Sequence, residues 1–236
     1  IYKKKKKIRH LKFIGCGSSI LSEELQKKFK KKYNVIVKNI YGMSEIGVAT
    51  IDDPSSNRIY GTIGKKLKGV EVNLFNEKGV KIIKENSIGE ICVKTPALFS
   101  GYKSKNIKND KKFFFKKYFR TGDLAKLERG NLKFIDRSKD IIIKGGVNIS
   151  PQEIDNCINQ NLNIQESASI GIKDIFFGEK IASYVVLKKN RKISQEKLIE
   201  FCRKKIGDFR SPSNIFFVKN LPKTSSGKII KRYLRK

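Results

Sequence analysis

Histidine is almost missing from this sequence: His10 is the only one in 236 residues. Cys16, Cys92, Cys157 and Cys202 lie far apart and form no Cys-x-x-Cys pair. These shortages exclude the usual zinc sites and triads built on a histidine base, and they fit thiols kept reduced in the cytoplasm. No apolar run approaches the roughly 20 residues needed to span a bilayer. The basic start, IYKKKKKIRHLKF, is not followed by the apolar core of about 7 to 15 residues that a signal peptide carries. The sequence begins with Ile1 and not Met, so the expectation is a chain that starts inside a longer protein. Acidic residues are also scarce, 22 against 53 Lys and Arg, for a net charge of +31. Such a balance suits a nucleic-acid or anionic-membrane partner. The lysines, however, are spread along the whole chain at the polar positions of alternating segments, as on a solvated surface. Lys3–Lys7 is the one true block.

What is present is an apolar fraction of 39%, suited to globular structure, and a closing stretch, LPKTSSGKIIKRYLRK, with a Gly-Lys pair at Gly227 and Lys228. A phosphate-binding P-loop needs glycine five positions before that pair's glycine and Ser or Thr after the lysine. Pro222 and Ile229 stand there instead. The P-loop fails, but a glycine-hinged loop can still present one lysine to an anion bound elsewhere.

Local patterns divide the chain. LSEELQKKFKKKY reads as a surface helix, with Ser22 as N-cap, acids in its first turn, and Leu25 one turn from Phe29. Val35–Val37 reads as a short buried strand feeding a loop, NIYGMSE, at a strand end where open α/β sheets place ligands. Alternating stretches from 69 to 95, broken by a turn at NEKG, read as a small antiparallel unit. LAKLERGNLKFID is a further hairpin with its turn at Glu128–Asn131. After the strand Ile141–Ile143 and the pair Gly145–Gly146, Ser150, Pro151 and Glu153 predict a capping box and a helix start. The rest reads as strands at SASIGI and KIASYVVL, a helix at SQEKLIEFCRKKIG stopped by Gly207, and a strand at NIFFVKN. About 95 residues after Lys139 suffice for an α+β domain.

Five segments in this order, GCGSSILSEEL, YGMSE, YFRTGDL, DRSKDIIIKGGVNISPQEID and LPKTSSGK, resemble the adenylate-forming (AMP-binding) acyl-CoA synthetase and ligase family, from about Leu11 onward. The resemblance implies α/β and α+β structure. Residues 1–138 would be the end of a large nucleotide-binding domain with a β-barrel-like subdomain, and 139–236 a small mobile C-terminal domain. It implies a cytoplasmic ATP-dependent ligase that joins a carboxylic acid to AMP with Mg²⁺, then passes the acyl group to coenzyme A or to a carrier protein's phosphopantetheine. Neither a specific nucleic acid nor a membrane span is expected. Joining a carboxylate to a triphosphate gathers negative charge, so the site needs cations and oriented donors.

By the same resemblance, Tyr41 and Gly42 form the adenine shelf, and Ser44, where the family usually has Thr, binds a phosphate oxygen. Glu45 is the Mg²⁺ carboxylate and acts in catalysis. Asp123 accepts from the ribose hydroxyls and Arg137 adds a donor, while Gly15 and Gly17 in GCGSS line the nucleotide and acyl pocket. Lys139 is the hinge of the small domain, Gly145 and Gly146 leave room for the pantetheine arm, and Lys228 is the mobile catalytic cation. Lys231, Arg232, Arg235 and Lys236 read as a basic tail outside catalysis. Asp136 stands where the family commonly has Gly.

The Ser/Thr/Gly-rich phosphate loop that the family carries well before its YGMSE-like segment is not found ahead of Tyr41. The expectation is therefore the C-terminal part of the enzyme, with little or no ligase activity of its own. A noncatalytic remnant or interaction domain on the same fold stays open beside the ligase, as does a basic nucleic-acid module. The acyl substrate stays open as well, from short and branched to aromatic and fatty acids.

Overall fold

Phe13–Cys16 forms a first short strand, β1, and Ser22 then starts helix α1, Glu23–Tyr33, by accepting a hydrogen bond from the Leu25 amide. The computed structural model describes residues 11–17, 21–52, 59–102, 110–225 and 227–235. His10, the Lys3–Lys7 block, Ser18, Ser19 and Lys236 lie outside the described residues. The chain divides into two compact units, Ile1–Phe134 and Ile135–Lys236.

In the first unit the buried face of α1 is not the expected Leu25 stripe. Leu25 is 52% exposed, whereas Gln26 is buried. Its amide donates to Val37 O and Asp52 Oδ2 and its oxygen accepts from the Gly61 amide. A polar side chain can be buried here because both of its ends find partners. Strands β2 (Ile36–Met43), β3 (Gly47–Ile51) and β4 (Lys65–Lys66) complete a sheet in the order β1-β2-β3-β4, with β1 and β2 parallel. The second sheet holds β5 (Glu71–Phe75), β6 (Lys81–Ile82), β7 (Ile88–Lys94), β8 (Phe114–Phe115), β9 (Tyr118–Glu128) and β10 (Asn131–Arg137). It runs β10-β9-β7-β5-β6, with β8 beside β9, and curls as a half-barrel. Ile46, Ala49, Ile63, Leu74, Ile91, Val93 and Phe119 form the core of this unit.

The second unit contains β11 (Ile142–Lys144), β12 (Val147–Ile149), α2 (Pro151–Ile158), β13 (Ile164–Asp174), β14 (Gly178–Leu187), α3 (Gln195–Ile206) and β15 (Asn214–Phe217). The short strand β12 was not legible in the sequence. It exists because Gly145 and Gly146, at φ 54° and 77°, close a two-residue hairpin that pairs Lys144 with Val147. The β13–β14 hairpin is the backbone of the unit, with β15 added parallel to β14. One core of the unit joins α2 and α3 through Ile154, Ile158, Leu198 and Cys202, and another joins Ala168, Ile170 and Ala182 to Leu221 and Leu234.

The capping box expected at Ser150 is not made. The Ser150 hydroxyl donates to Asp136 Oδ2 at 3.0 Å, and that same oxygen accepts from the Gln152 amide at 2.9 Å. Asp136 therefore caps α2 from outside the helix, and Glu153 pairs with Arg210 instead. Among the described residues no helix is long and apolar enough to cross a membrane.

Candidate active site

The YGMSE segment is not a loop beyond a strand. β2 continues through Met43, and only residues 44–46 turn before β3. The pairing shifts register between Tyr41 and Gly42, and a Cβ at Gly42 would meet Gly47 O at 2.2 Å. Glycine is required because the two strands approach too closely for any side chain. The turn exposes Ser44 and leaves Glu45 half-buried. Glu45 O accepts from the Phe99 amide at 2.9 Å and Glu45 Oε1 from the Tyr102 hydroxyl at 2.9 Å. Tyr102 escaped the sequence reading, since no local pattern ties it to a residue 57 positions earlier.

The TGD segment lies within strand β9. Glu90 faces Leu124 and Cys92 faces Arg120, so Thr121, Gly122 and Asp123 stand opposite Ile91 alone, a bulge that re-aims a side chain. Glu90 holds the bulge. Its Oε1 accepts from the Gly122 amide at 3.0 Å, and its Oε2 takes Arg120 Nε and Nη2 at 3.0 and 2.8 Å. The Thr121 hydroxyl donates to Ile91 O and accepts from the Asp123 amide. Asp123 is 4% exposed, and its Oδ2 accepts the Tyr41 hydroxyl at 2.9 Å. Two motifs 82 residues apart meet in that bond. Gly15 of β1 and Gly17 just after it lie against Ile40, the residue before Tyr41. A Cβ at Gly15 would come within 2.6 Å of the Ile40 side chain, and one at Gly17 within 3.6 Å of Ile40 O.

The remaining candidates belong to the second unit. Arg137 ends β10, its amide donating to Asp136 Oδ1. Lys139 is exposed in a 3₁₀ turn, Ser138–Asp140. Gly145 donates its amide to Phe177 O, and the Phe177 and Phe209 rings stand edge to face, 6.4 Å apart, near it. Lys144 lies over both rings and donates to Phe209 O at 2.8 Å. Gly146 is exposed beside it. Lys228 is exposed on a turn whose amides are held by Thr224.

Two residues of the basic tail, Lys231 and Arg235, are tied into the fold. Lys231 pairs with Asp155 of α2 at 3.3 Å, and Arg235 reaches the Lys139 carbonyl and lies 3.7 Å from Asp140 Oδ1. The signal available in the sequence was Leu234, an apolar residue amid the basic ones, which is buried. Burial pushes the Asp155 carboxyl up to about 6; Lys231 and Ser169 pull against it, and Asp136 adds to the rise. Burial likewise pushes the Cys92 and Cys202 thiols up to about 12, so neither is a nucleophile near neutrality. Among the described residues no group of three or more His, Cys, Asp or Glu could hold a metal ion.

Comparisons with known proteins bear on the fold and the family. The family model for the AMP-binding enzyme matches residues 2–103, and that for the AMP-binding enzyme C-terminal domain matches 153–228. An oxalate–CoA ligase of Saccharomyces cerevisiae is 32% identical over 95% of this chain and 42% of its own length. A long-chain-fatty-acid–CoA ligase of Bacillus subtilis is 33% identical over 95% of this chain and 40% of its own length. The ATP-bound MatB of Rhodopseudomonas palustris superposes with a TM-score of 0.88 at 30% identity, covering 98% of this chain and 48% of that one. The fold is that of the adenylate-forming enzymes, and the chain belongs to the AMP-binding enzyme family. It spans less than half the length of these relatives.

Proposed function

We propose that the chain serves an ATP-dependent carboxylic acid:CoA ligase working through an acyl-adenylate. The single observation that carries this reading is the bond from Tyr41 to the buried Asp123, which joins two of the family's segments in one place. The two curated relatives named above are CoA ligases, one for oxalate and one for long-chain fatty acids. A family that spans such different acids leaves the acid of this protein to be found by assay.

In this reading Asp123 accepts from the ribose hydroxyls, which a two-oxygen carboxylate suits, while Tyr41 orients that carboxylate and offers its ring to the base. Gly42 keeps side chains clear of the nucleotide. Ser44 donates to a phosphate oxygen, and Arg137 adds a donor. A single carboxylate with phosphate oxygens and waters completing the shell is how Mg²⁺ is commonly held. The donor set thus fits the ion, which Glu45 would hold and which would supply charge neutralisation on the triphosphate. Lys228 steadies the substrate carboxylate as its oxygen attacks the α-phosphorus and pyrophosphate departs. A compact ammonium on a flexible stem suits that task. The thiol of coenzyme A, or of a carrier protein's phosphopantetheine, then attacks the acyl carbon and AMP leaves. We place the turn between these steps at Lys139, with the Gly145–Gly146 hairpin admitting the pantetheine arm. Four free thiols, three of them buried, suit a reducing compartment such as the cytoplasm.

The test is AMP release by the full-length protein across a panel of short, branched, aromatic and fatty acids, with and without coenzyme A. At least one acid should give CoA-dependent AMP release that Asp123→Ala and Lys228→Ala each reduce by about a hundredfold or more. A folded protein that releases AMP with no acid would overturn the assignment.

A further inference from the structure

The turn that carries Lys228 stands on two feet. Leu221 before it and Leu234 after it are both buried, against Ala168, Ile170, Ala182 and Val186. Between them the backbone folds tightly on itself. The Thr224 amide donates to Lys228 O at 2.8 Å, Gly227 to Thr224 O at 2.9 Å, and Ile230 to Pro222 O at 2.8 Å. The Lys228 amide donates to Thr224 Oγ1 at 3.1 Å.

Each foot carries a lysine bound to a carboxylate. On the upstream side Lys223 Nζ lies 2.6 Å from Glu166 Oε2 on β13, with side chains 38% and 23% exposed. Downstream, three positions after Lys228, Lys231 Nζ lies 3.3 Å from Asp155 Oδ2 on α2, and these side chains are only 17% and 12% exposed. The neighbouring Arg232 shows the contrast, since it is exposed and donates to the hydroxyl of the adjacent Tyr233. Solvation alone would leave Lys231 like Arg232. Burying an ammonium against a buried carboxylate adds little net stability, but it selects one arrangement and penalises loss of either partner. The helix that receives it is itself fixed, capped by Asp136 and packed through Ile154 and Ile158.

We propose that Lys231, held by Asp155, is a positioning residue for Lys228. It pins the downstream foot of the turn to α2, so the Lys228 ammonium is presented from a rigid support. The proposal rests on the reading of Lys228 as the cation of adenylation. Lys223 and Glu166 pin the other foot at a more exposed place, where solvent weakens the pair.

The test separates the two half-reactions in full-length protein. Adenylation is read as pyrophosphate release, and thioester formation is read from acyl-adenylate supplied ready-made. Lys231→Met should lower the adenylation kcat by about ten- to a hundredfold, the scale of misplacing a catalytic group by roughly 1 Å. The KM for ATP and the thioester step should change by no more than about twofold. Asp155→Asn should behave like Lys231→Met, Lys231→Arg should recover most of the rate, and Arg232→Met should leave it unchanged. Equal losses in both half-reactions, or no loss in either, overturn the proposal. Should Lys231→Met unfold, the double variant Asp155→Leu/Lys231→Met leaves no unpaired buried charge and carries the same expectation. A second arm needs no activity: the Thr224, Gly227 and Lys228 amides should exchange with solvent faster in Lys231→Met than in Arg232→Met. Unchanged exchange refutes the clamp. If the wild-type protein adenylates no acid, the ligase reading fails, and the exchange arm still decides this one.

Discussion

At the scale of single residues, the bond between Tyr41 and Asp123 ties the two segments together. A donor withdrawn from a buried carboxylate costs more than the bond itself contributes, because the acceptor stays behind without it. Tyr41→Phe should therefore destabilise the chain by about 1–3 kcal/mol in denaturant unfolding, and it should weaken nucleotide binding in step. Gly42 is bounded by backbone, with Gly47 O and Val48 Cα both within 3 Å of a would-be Cβ. Gly42→Ala should cost at least about 1–3 kcal/mol by overpacking, visible as a lowered urea midpoint. Asp155 has the opposite pH logic from most acids. Held above its ordinary 3.8 at about 6, it keeps a proton in the folded chain over a range where the unfolded chain has lost it. Its contribution to stability therefore falls as pH rises from about 4 to about 6, and the cost is fully present above that. Urea midpoints measured across that range should show this segment of slope in the native chain and not in Asp155→Asn.

Elements show what local sequence can and cannot reveal. The ends of α1 and α3 were legible, because Ser22 and Ser194 each accept from an amide three residues on and Gly207 closes α3. Those bonds lie within a few residues, where pattern and chemistry coincide. The start of α2 was legible in place but not in cause. Its cap comes from Asp136, 16 residues upstream of the Gln152 amide, a residue that had looked like a mere departure from the family pattern. Asp136→Ala should cost about 0.5–2 kcal/mol of stability and Ser150→Ala distinctly less, reversing the order that a capping box implies. The TGD bulge was equally hidden, for it depends on Glu90, which is 32 residues from the Gly122 amide it binds. The burial of Gln26 was hidden for the same reason: its partners, Val37, Asp52 and Gly61, are gathered by the fold and not by the helix. The five family segments needed no such gathering to be recognised, so the candidate site was more legible than the packing that builds it.

For the whole molecule, charge is the dominant fact. A net +31 repels itself in any compact state, and the ion pairs that offset it are mostly surface ones such as Glu23–Lys27, Glu24–Lys28 and Glu200–Lys204. Salt screens long-range repulsion between exposed charges over about 10 Å at 0.1 M. Thermal midpoints should accordingly rise from very low ionic strength to about 0.15 M, opposite to a chain held together by its surface pairs.

The grip of Arg235 on Lys139 has a practical corollary. It sets the last described residue of the small unit beside that unit's opening turn, although 96 positions separate them. Segments whose ends lie side by side can be grafted into a host loop or rewired in circular order with a short linker. Between these two positions the small unit thus offers protein engineers a seam where a short linker could rejoin the chain.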